Sequence, residues 1–397
     1  MLGLSGLHRS GPMAPADGRT ERIALVVGGG TVGHAGPALA VAEELEDRLW
    51  PGAVELVGSK RGSGARLLCS SGIPFTLLAG RGIRRSVSPG ASLSNVVALV
   101  GLAVAFFRSL ALVLSRRPKV IVAFGGFGSI PPALAGWLAR VPLVVVNIDA
   151  VPGAANRLLG RLARVSAVSV AGTGLANEKV TGAPLRRGLP LDLDDASRTR
   201  AKDELGIPPG RKVIGVVGGS LGARRLNEAT VGLAALWRER GDLAIYHVTG
   251  VRDFPSVKEA RRAAAPLVPE AKAGTSLCYV AVPYEDRMGL LYSAADVMVC
   301  RGGAMTMAEL AALGVPAVVV PLPDAPRDHQ RANAEVLERA GAAVMLDDES
   351  CTGERLASLL EELLEDEVRL ASMARAASAL GRPRATEEVA NIALELA

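Results

Sequence analysis

Short runs of aliphatic and β-branched residues recur along this chain, each closed by glycines or polar turn residues and followed by a longer stretch of helical periodicity. In the first half the runs lie at 23–27, 54–58, 120–124 and 143–147. They lack the alternation of a strand with one wet face, so they predict strands buried on both sides of a parallel sheet. Helices are predicted at 37–50, 91–115 and 131–139. The pattern then restarts, with strands at 213–217, 244–248, 296–300 and 317–320 and helices at 223–238, 284–294, 306–313 and 328–340. An acidic amphipathic helix at 353–366 precedes a final alanine-rich one. Two successive sets of strand–helix repeats predict an α/β protein of two Rossmann-like, doubly wound domains. Prolines and charges interrupt the pattern at 187–195. The expected organisation is a disordered leader over 1–20, an N-terminal domain over 21–188, a C-terminal domain over 189–380 and a helix over 381–397 able to pack back on the first domain.

The stretch 91–114 is apolar enough to raise a membrane reading, since 96–107 carries no charge. That run is shorter than the roughly 20 residues a span needs, and Arg108 ends it. Cations flank it: Arg81, Arg84 and Arg85 before, Arg116, Arg117 and Lys119 after. A helix resting its apolar face on an anionic bilayer surface fits this pattern, the plain alternative being a buried core helix. The charge distribution agrees, with 21 Lys and Arg against 9 Asp and Glu over 1–190 and 24 against 31 in the remainder. A basic front half suits a phospholipid surface or a pyrophosphate. Nucleic acid is not expected, because that half has few exposed-looking aromatics for base stacking and no recognisable binding module. The four cysteines have neither metal-ligand nor redox spacing, which predicts a reduced, cytosolic protein.

Candidate chemistry sits where predicted strands end in glycine. Gly28 to Gly33 and Gly218 to Gly222 each join a strand to a helix, placing bare backbone N–H groups at the helix's positive end, a ready anion site. The first matches a dinucleotide fingerprint by spacing, yet the second strand ends at Gly58-Ser59-Lys60 without the carboxylate that a dinucleotide ribose requires. His34 follows the first turn, where the helix end keeps an imidazole neutral and available as a base; a capping or packing histidine is the equal alternative. A third turn, Phe124-Gly125-Gly126-Phe127-Gly128-Ser129, could hold a second phosphate group or be a plain tight turn. Glu309 lies one to two helical turns beyond Arg301-Gly302-Gly303, where a carboxylate can take two ribose hydroxyls. Gln330 and Asn333 share a helix face and could bind sugar hydroxyls.

Gly29-Gly30-Thr31-Val32-Gly33-His34 with Pro37, Gly125-Gly126-Phe127 with Ser129, Ala183-Pro184-Leu185-Arg186, Gly218-Gly219-Ser220-Leu221-Gly222-Ala223, Arg301-Gly302-Gly303-Ala304 with Thr306 and Glu309, and Asp328-His329-Gln330 with Asn333 together resemble the MurG family. These are the bacterial N-acetylglucosaminyltransferases that complete lipid II for peptidoglycan. The resemblance implies a GT-B fold, two Rossmann-like domains facing a central cleft, and a peripheral enzyme on the cytoplasmic face of the cell membrane. It implies UDP-N-acetylglucosamine as donor, bound by Arg186, Gly219, Ser220, Leu221, Gly222, Arg301, Ala304, Met305, Thr306 and Glu309, with Ser220 and Arg186 at the diphosphate and Glu309 at the ribose. Gln330 and Asn333 would meet the sugar and Tyr284 would wall the uracil. A polyprenyl-pyrophosphate-linked acceptor would lie on Gly30, Thr31, Val32, Gly33, Gly125, Gly126, Phe127, Ser129 and Asn156.

One segment departs from the family. Where His-Glu-Gln-Asn is typical, this chain has Val146-Asn147-Ile148-Asp149, although the Pro-Gly turn and Asn156 remain. The expected reaction is an inverting glycosyl transfer with neither metal nor cofactor, His34 being the first candidate for the base and Asp149 the second. A related transferase with another lipid or small-molecule acceptor, a UDP-sugar epimerase and a non-catalytic binding protein are the alternatives. The oligomeric state is not legible in the chain.

Overall fold

A computed structural model describes residues 22–28, 32–60, 64–78, 89–191, 193–219, 222–263 and 276–397, with side chains at 32, 66, 89–99 and 262–263 outside the description. The leader at 1–20, the arginines at 81, 84 and 85, the site residues Gly30, Thr31, Ser220 and Leu221 and the side chain of Val32 therefore lie outside the described residues.

The chain forms two compact units, one of 1–148, 152–186 and 384–397, the other of 149–151 and 187–383. In the first, β1 (Ala24–Val27), β2 (Val54–Ser59), β3 (Phe75–Leu78), β4 (Val120–Ala123), β5 (Leu143–Asn147), β6 (Val165–Val168) and β7 (Glu178–Val180) make one parallel sheet in the order β3-β2-β1-β4-β5-β6-β7. In the second, β8 (Lys212–Val217), β9 (Leu243–Val248), β10 (Cys278–Val282), β11 (Val297–Cys300), β12 (Ala317–Val319) and β13 (Ala343–Met345) run parallel in the order β10-β9-β8-β11-β12-β13. Each sheet reverses its winding direction once, between β1 and β4 and between β8 and β11. Such a switch point opens a crevice at the strands' carboxyl ends, where open α/β sheets bind ligands. Both strands at each switch point end in a glycine-rich turn, so the sequence's glycine turns gather in pairs at the two edges the topology leaves open.

The central strands are buried on both faces, as their continuous apolar runs require: β1, β4, β5, β9 and β11 are buried throughout. Helix α1 (Val32–Arg48) begins a turn and a half before the predicted start at residue 37. Pro37 lies inside it and gives up the bond to the Gly33 carbonyl. That extension puts His34 in the first turn of α1. Helix α3 (Pro89–Arg116) is the longest, and α4 (Ile130–Leu138) packs on it. Among the described residues no helix is long and apolar enough to cross a membrane. The last helix, α14 (Ala385–Leu396), belongs to the first unit, where it packs on α1, β4 and β5 and where Thr386 Oγ1 donates to the Leu185 carbonyl at 3.0 Å.

Candidate functional site

On the first sheet, Gly28 ends β1 beneath Ala35 and Ala38 of α1, with its N–H bonded to the Val57 carbonyl. His34 is half-buried and Gly33 exposed. The neighbouring turn after β4 closes through Ser129, whose Oγ donates to the Gly126 carbonyl at 2.8 Å, leaving Phe127 exposed. Asn156 is buried beside it: its Nδ2 donates to the Val146 carbonyl at 3.2 Å and to Asn147 Oδ1 at 3.0 Å. Ser129 and Asn156, expected to touch the acceptor, thus spend donors on fixing the backbone around that edge. Arg186 ends the first unit and runs beside α1, its Cδ 4.0 Å from where a Cβ on Gly36 would stand.

On the second sheet, Gly222 closes the turn after β8 with a backbone bond to the Gly219 carbonyl at 3.0 Å. Its φ of +89° and the approach of the Thr249 carbonyl, 2.5 Å from a would-be Cβ, admit no side chain. Helix α7 (Arg224–Leu236) then starts at Ala223, and α10 (Ala304–Leu313) starts at Gly303 after β11. Neither helix has a side chain capping its first N–H groups, so both positive ends are left to solvent or to an anion. Ala304, Met305 and Thr306 form the half-buried first turn of α10. One turn on, Glu309 is 3% exposed and its Oε2 accepts from the buried Tyr292 Oη at 2.7 Å. Tyr284, 48% exposed, stands in the loop after β10, ahead of α9 (Met288–Ala294) rather than inside the helix predicted from residue 284. Glu285 holds that loop open, taking Tyr246 Oη at 2.6 Å and the Arg287 N–H at 2.8 Å. Burial raises the Glu285 carboxyl, but these donors and the Arg287 charge outweigh it and leave its pKa below the ordinary value.

Two expected ligand contacts, Asn333 and Arg301, are engaged within the protein. Asn333, on α11 (His329–Arg339), is buried and committed: Nδ2 donates to Asp149 Oδ1 at 3.0 Å and to the Gly302 carbonyl at 3.1 Å, while Oδ1 accepts the Ala150 N–H at 2.7 Å. Both amide hydrogens are spent, so Asn333 clamps 149–151 to the Gly302 turn. Asp149, the second candidate base, is its partner. Arg301 is folded inward, Nη1 donating to the Val320 and Pro321 carbonyls at 3.1 and 3.2 Å and lying 2.6 Å from Asp348 Oδ1. It ties the ends of β11 and β12 to Asp348. Gln330 Oε1 takes the Leu322 N–H at 3.0 Å. The backbone of Gln330 presses on Gly302, 2.2 Å from where a Cβ would be, which only glycine permits.

Sequence reasoning missed the buried polar residues behind the Gly222 turn: Asn227 on α7, His247 on β9, Tyr279 on β10, and Asp253. A histidine inside an otherwise apolar strand run was the one available signal.

Residues 24–168 match the family model "Glycosyltransferase family 28 N-terminal domain" and residues 213–393 match "Glycosyltransferase family 28 C-terminal domain". A protein of Desulforudis audaxviator is 35% identical over 382 residues, 94% of this chain and 98% of its own. One of Nocardia farcinica is 37% identical over 380 residues, 94% and 95% of the two chains. Both bear the name UDP-N-acetylglucosamine--N-acetylmuramyl-(pentapeptide) pyrophosphoryl-undecaprenol N-acetylglucosamine transferase. The crystal structure of Acinetobacter baumannii MurG superposes with a TM-score of 0.73 at 29% identity, covering 94% of this chain and 99% of that one. A UDP-GlcNAc 2-epimerase from Neisseria meningitidis superposes at 0.62 with 15% identity, covering 94% and 99%, a likeness of fold alone. The architecture is the GT-B fold. With both domain models matched and relatives above one-third identity along nearly the full length, the chain belongs to the MurG family of glycosyltransferases.

Proposed function

We propose that this enzyme moves N-acetylglucosamine from UDP-N-acetylglucosamine to lipid I, forming lipid II for peptidoglycan, by direct inverting displacement. The observation carrying this reading is the near-full-length likeness to transferases of that name, joined to the second sheet's edge, where two uncapped helix ends flank the Gly218–Gly222 turn and Glu309. The donor's diphosphate lies at the start of α7, Glu309 takes the ribose, Tyr284 walls the uracil and the Gln330 amide meets the sugar. Negative charge growing on the departing UDP is stabilised by fixed backbone dipoles.

The lipid-linked acceptor occupies the first sheet's edge, its pyrophosphate near the turns at Gly30 and Gly126. His34 accepts the proton of the attacking hydroxyl as oxygen bonds to the anomeric carbon and UDP leaves from the opposite face. Asp149 is the weaker candidate because Asn333 already donates to its carboxylate.

The enzyme works on the cytoplasmic face of the membrane as a peripheral protein. Val100, Val104, Phe107 and Leu114 recur along one stripe of α3, and Trp137 and Leu138 stand exposed on α4 packed against it. Exposed Arg108, Arg117, Lys119 and Arg140 give this apolar surface a cationic setting suited to anionic lipid.

Incubating the protein with labelled UDP-N-acetylglucosamine, with and without lipid I, tests the reading. Label transferred to lipid I supports it. An epimerised or untouched sugar in the presence of lipid I overturns it, and transfer to another lipid alone would trace to the altered Val146–Asp149 segment.

A further inference from the structure

Behind the turn at Gly222 runs a chain of buried hydrogen bonds that the reaction as described does not use. Asn227 Nδ2 donates to the Thr249 carbonyl at 3.0 Å and lies 3.3 Å from Asp253 Oδ2. Both acceptors admit only a donor, so the amide oxygen of Asn227 must face His247 Nε2, 2.9 Å away. His247 Nε2 therefore carries the ring proton, and its bare Nδ1 accepts from Tyr279 Oη at 2.8 Å. Donors point one way along the whole chain, from Tyr279 through His247 and Asn227 to Thr249 and Asp253. Those last two oxygens are the atoms against which Gly222 packs, 2.5 and 2.6 Å from its would-be Cβ.

We infer that His247 is a positioning residue for donor binding: through Asn227 it sets the start of α7 and the Gly222 end of the turn that receives the donor's diphosphate. The inference rests on the donor assignment above. Three elements meet in this chain, since His247 lies on β9, Tyr279 on β10 and Asn227 on the second turn of α7. Removing the imidazole leaves the Asn227 oxygen buried without a donor and lets the α7 end drift. His247 is fully buried, and burial lowers its pKa to about 3, so the imidazole itself stays neutral within the chain.

The test compares UDP with uridine, because only UDP engages the turn. In His247→Phe the dissociation constant for UDP, read by titration calorimetry, should rise about tenfold, while that for uridine shifts less than about twofold. His247→Gln, whose amide N–H can replace Nε2–H toward Asn227, should restore UDP binding to within about threefold of wild type. Asn227→Ala, which a helix accepts readily, serves if the phenylalanine variant does not fold, and should show the same split between UDP and uridine. Equal losses for UDP and uridine, or unchanged UDP affinity in a folded variant, overturn the inference alone. A wild-type protein that binds no UDP overturns the donor assignment and the inference with it.

Discussion

Asn333 and Asp149 show how a residue's role depends on what the fold brings to it. A polar side chain in a motif reads as a ligand contact until its partners are known, and here the two are each other's partners across 184 positions. The pairing bears on the proposed choice of base. His34→Ala should cut kcat by about 10²–10⁴-fold with the fold intact, the usual share of a general base. Asp149→Asn keeps an oxygen for the Asn333 amide and should stay within about threefold of wild type, since no proton transfer is lost. Steady-state rates decide it: a loss in Asp149→Asn as large as in His34→Ala would move the base to Asp149. His247 carries a separate prediction, on stability. Its folded pKa is depressed to about 3 from 6.5, so the unfolded chain binds the extra proton between those values. The stability it allows is complete above pH 6.5 and is lost as pH falls toward 3. Between about pH 7 and pH 5 the wild type should lose about 2 kcal/mol more than His247→Gln, as read from urea unfolding. Parallel pH profiles for the two proteins would contradict a neutral, buried imidazole.

Among the elements, those legible in the sequence are the ones whose surroundings are uniform. Central strands of a parallel sheet touch apolar helices on both faces, so β1, β2, β4, β5, β8, β9, β11 and β12 announce themselves as predominantly apolar runs. The unpredicted strands are β6 and the four edges, β3, β7, β10 and β13, where half-exposed positions dilute the pattern. The glycine turns were equally legible, because backbone geometry and close approach dictate glycine locally. Arg301 and Asn333 were not, since their partners come from distant elements. Helix α3 is the case where hydrophobicity was legible but its purpose was not, a buried helix and a surface helix giving similar counts. Phe107 is 67% exposed on a stripe with Val104 and Leu114, which a core helix would cover, and this exposure supports the proposed bilayer contact. Phe107→Glu should therefore leave thermal unfolding unchanged and weaken binding to phosphatidylglycerol vesicles by about tenfold or more, the worth of one aromatic at an interface plus a repelled charge. Sedimentation with vesicles reads this, and undiminished binding would take α3 out of the membrane contact.

For the molecule as a whole, chain order and structural order differ at the C-terminus. The chain leaves the first unit after Arg186, builds the second through Pro383 and returns to the first for its last fourteen residues. Val389 and Ile392 of α14 are buried there, in a helix laid on α1, β4 and β5. Two such side chains stabilise the first unit by about 3–6 kcal/mol, a large share of a domain's net stability. Deleting 385–397 would uncover the helix that carries His34 while leaving every residue of the second sheet in place. The truncated protein should lose transfer activity and become open to proteolysis within the first unit, yet bind UDP within about twofold of the full chain, because Gly222, Tyr284, Glu309 and Gln330 all lie in the second unit, which α14 does not join. Limited proteolysis and calorimetry on the same preparation separate the outcomes. Loss of UDP binding together with activity would show that the units unfold as one, and an unchanged cleavage pattern would show that α14 adds little to the unit it joins.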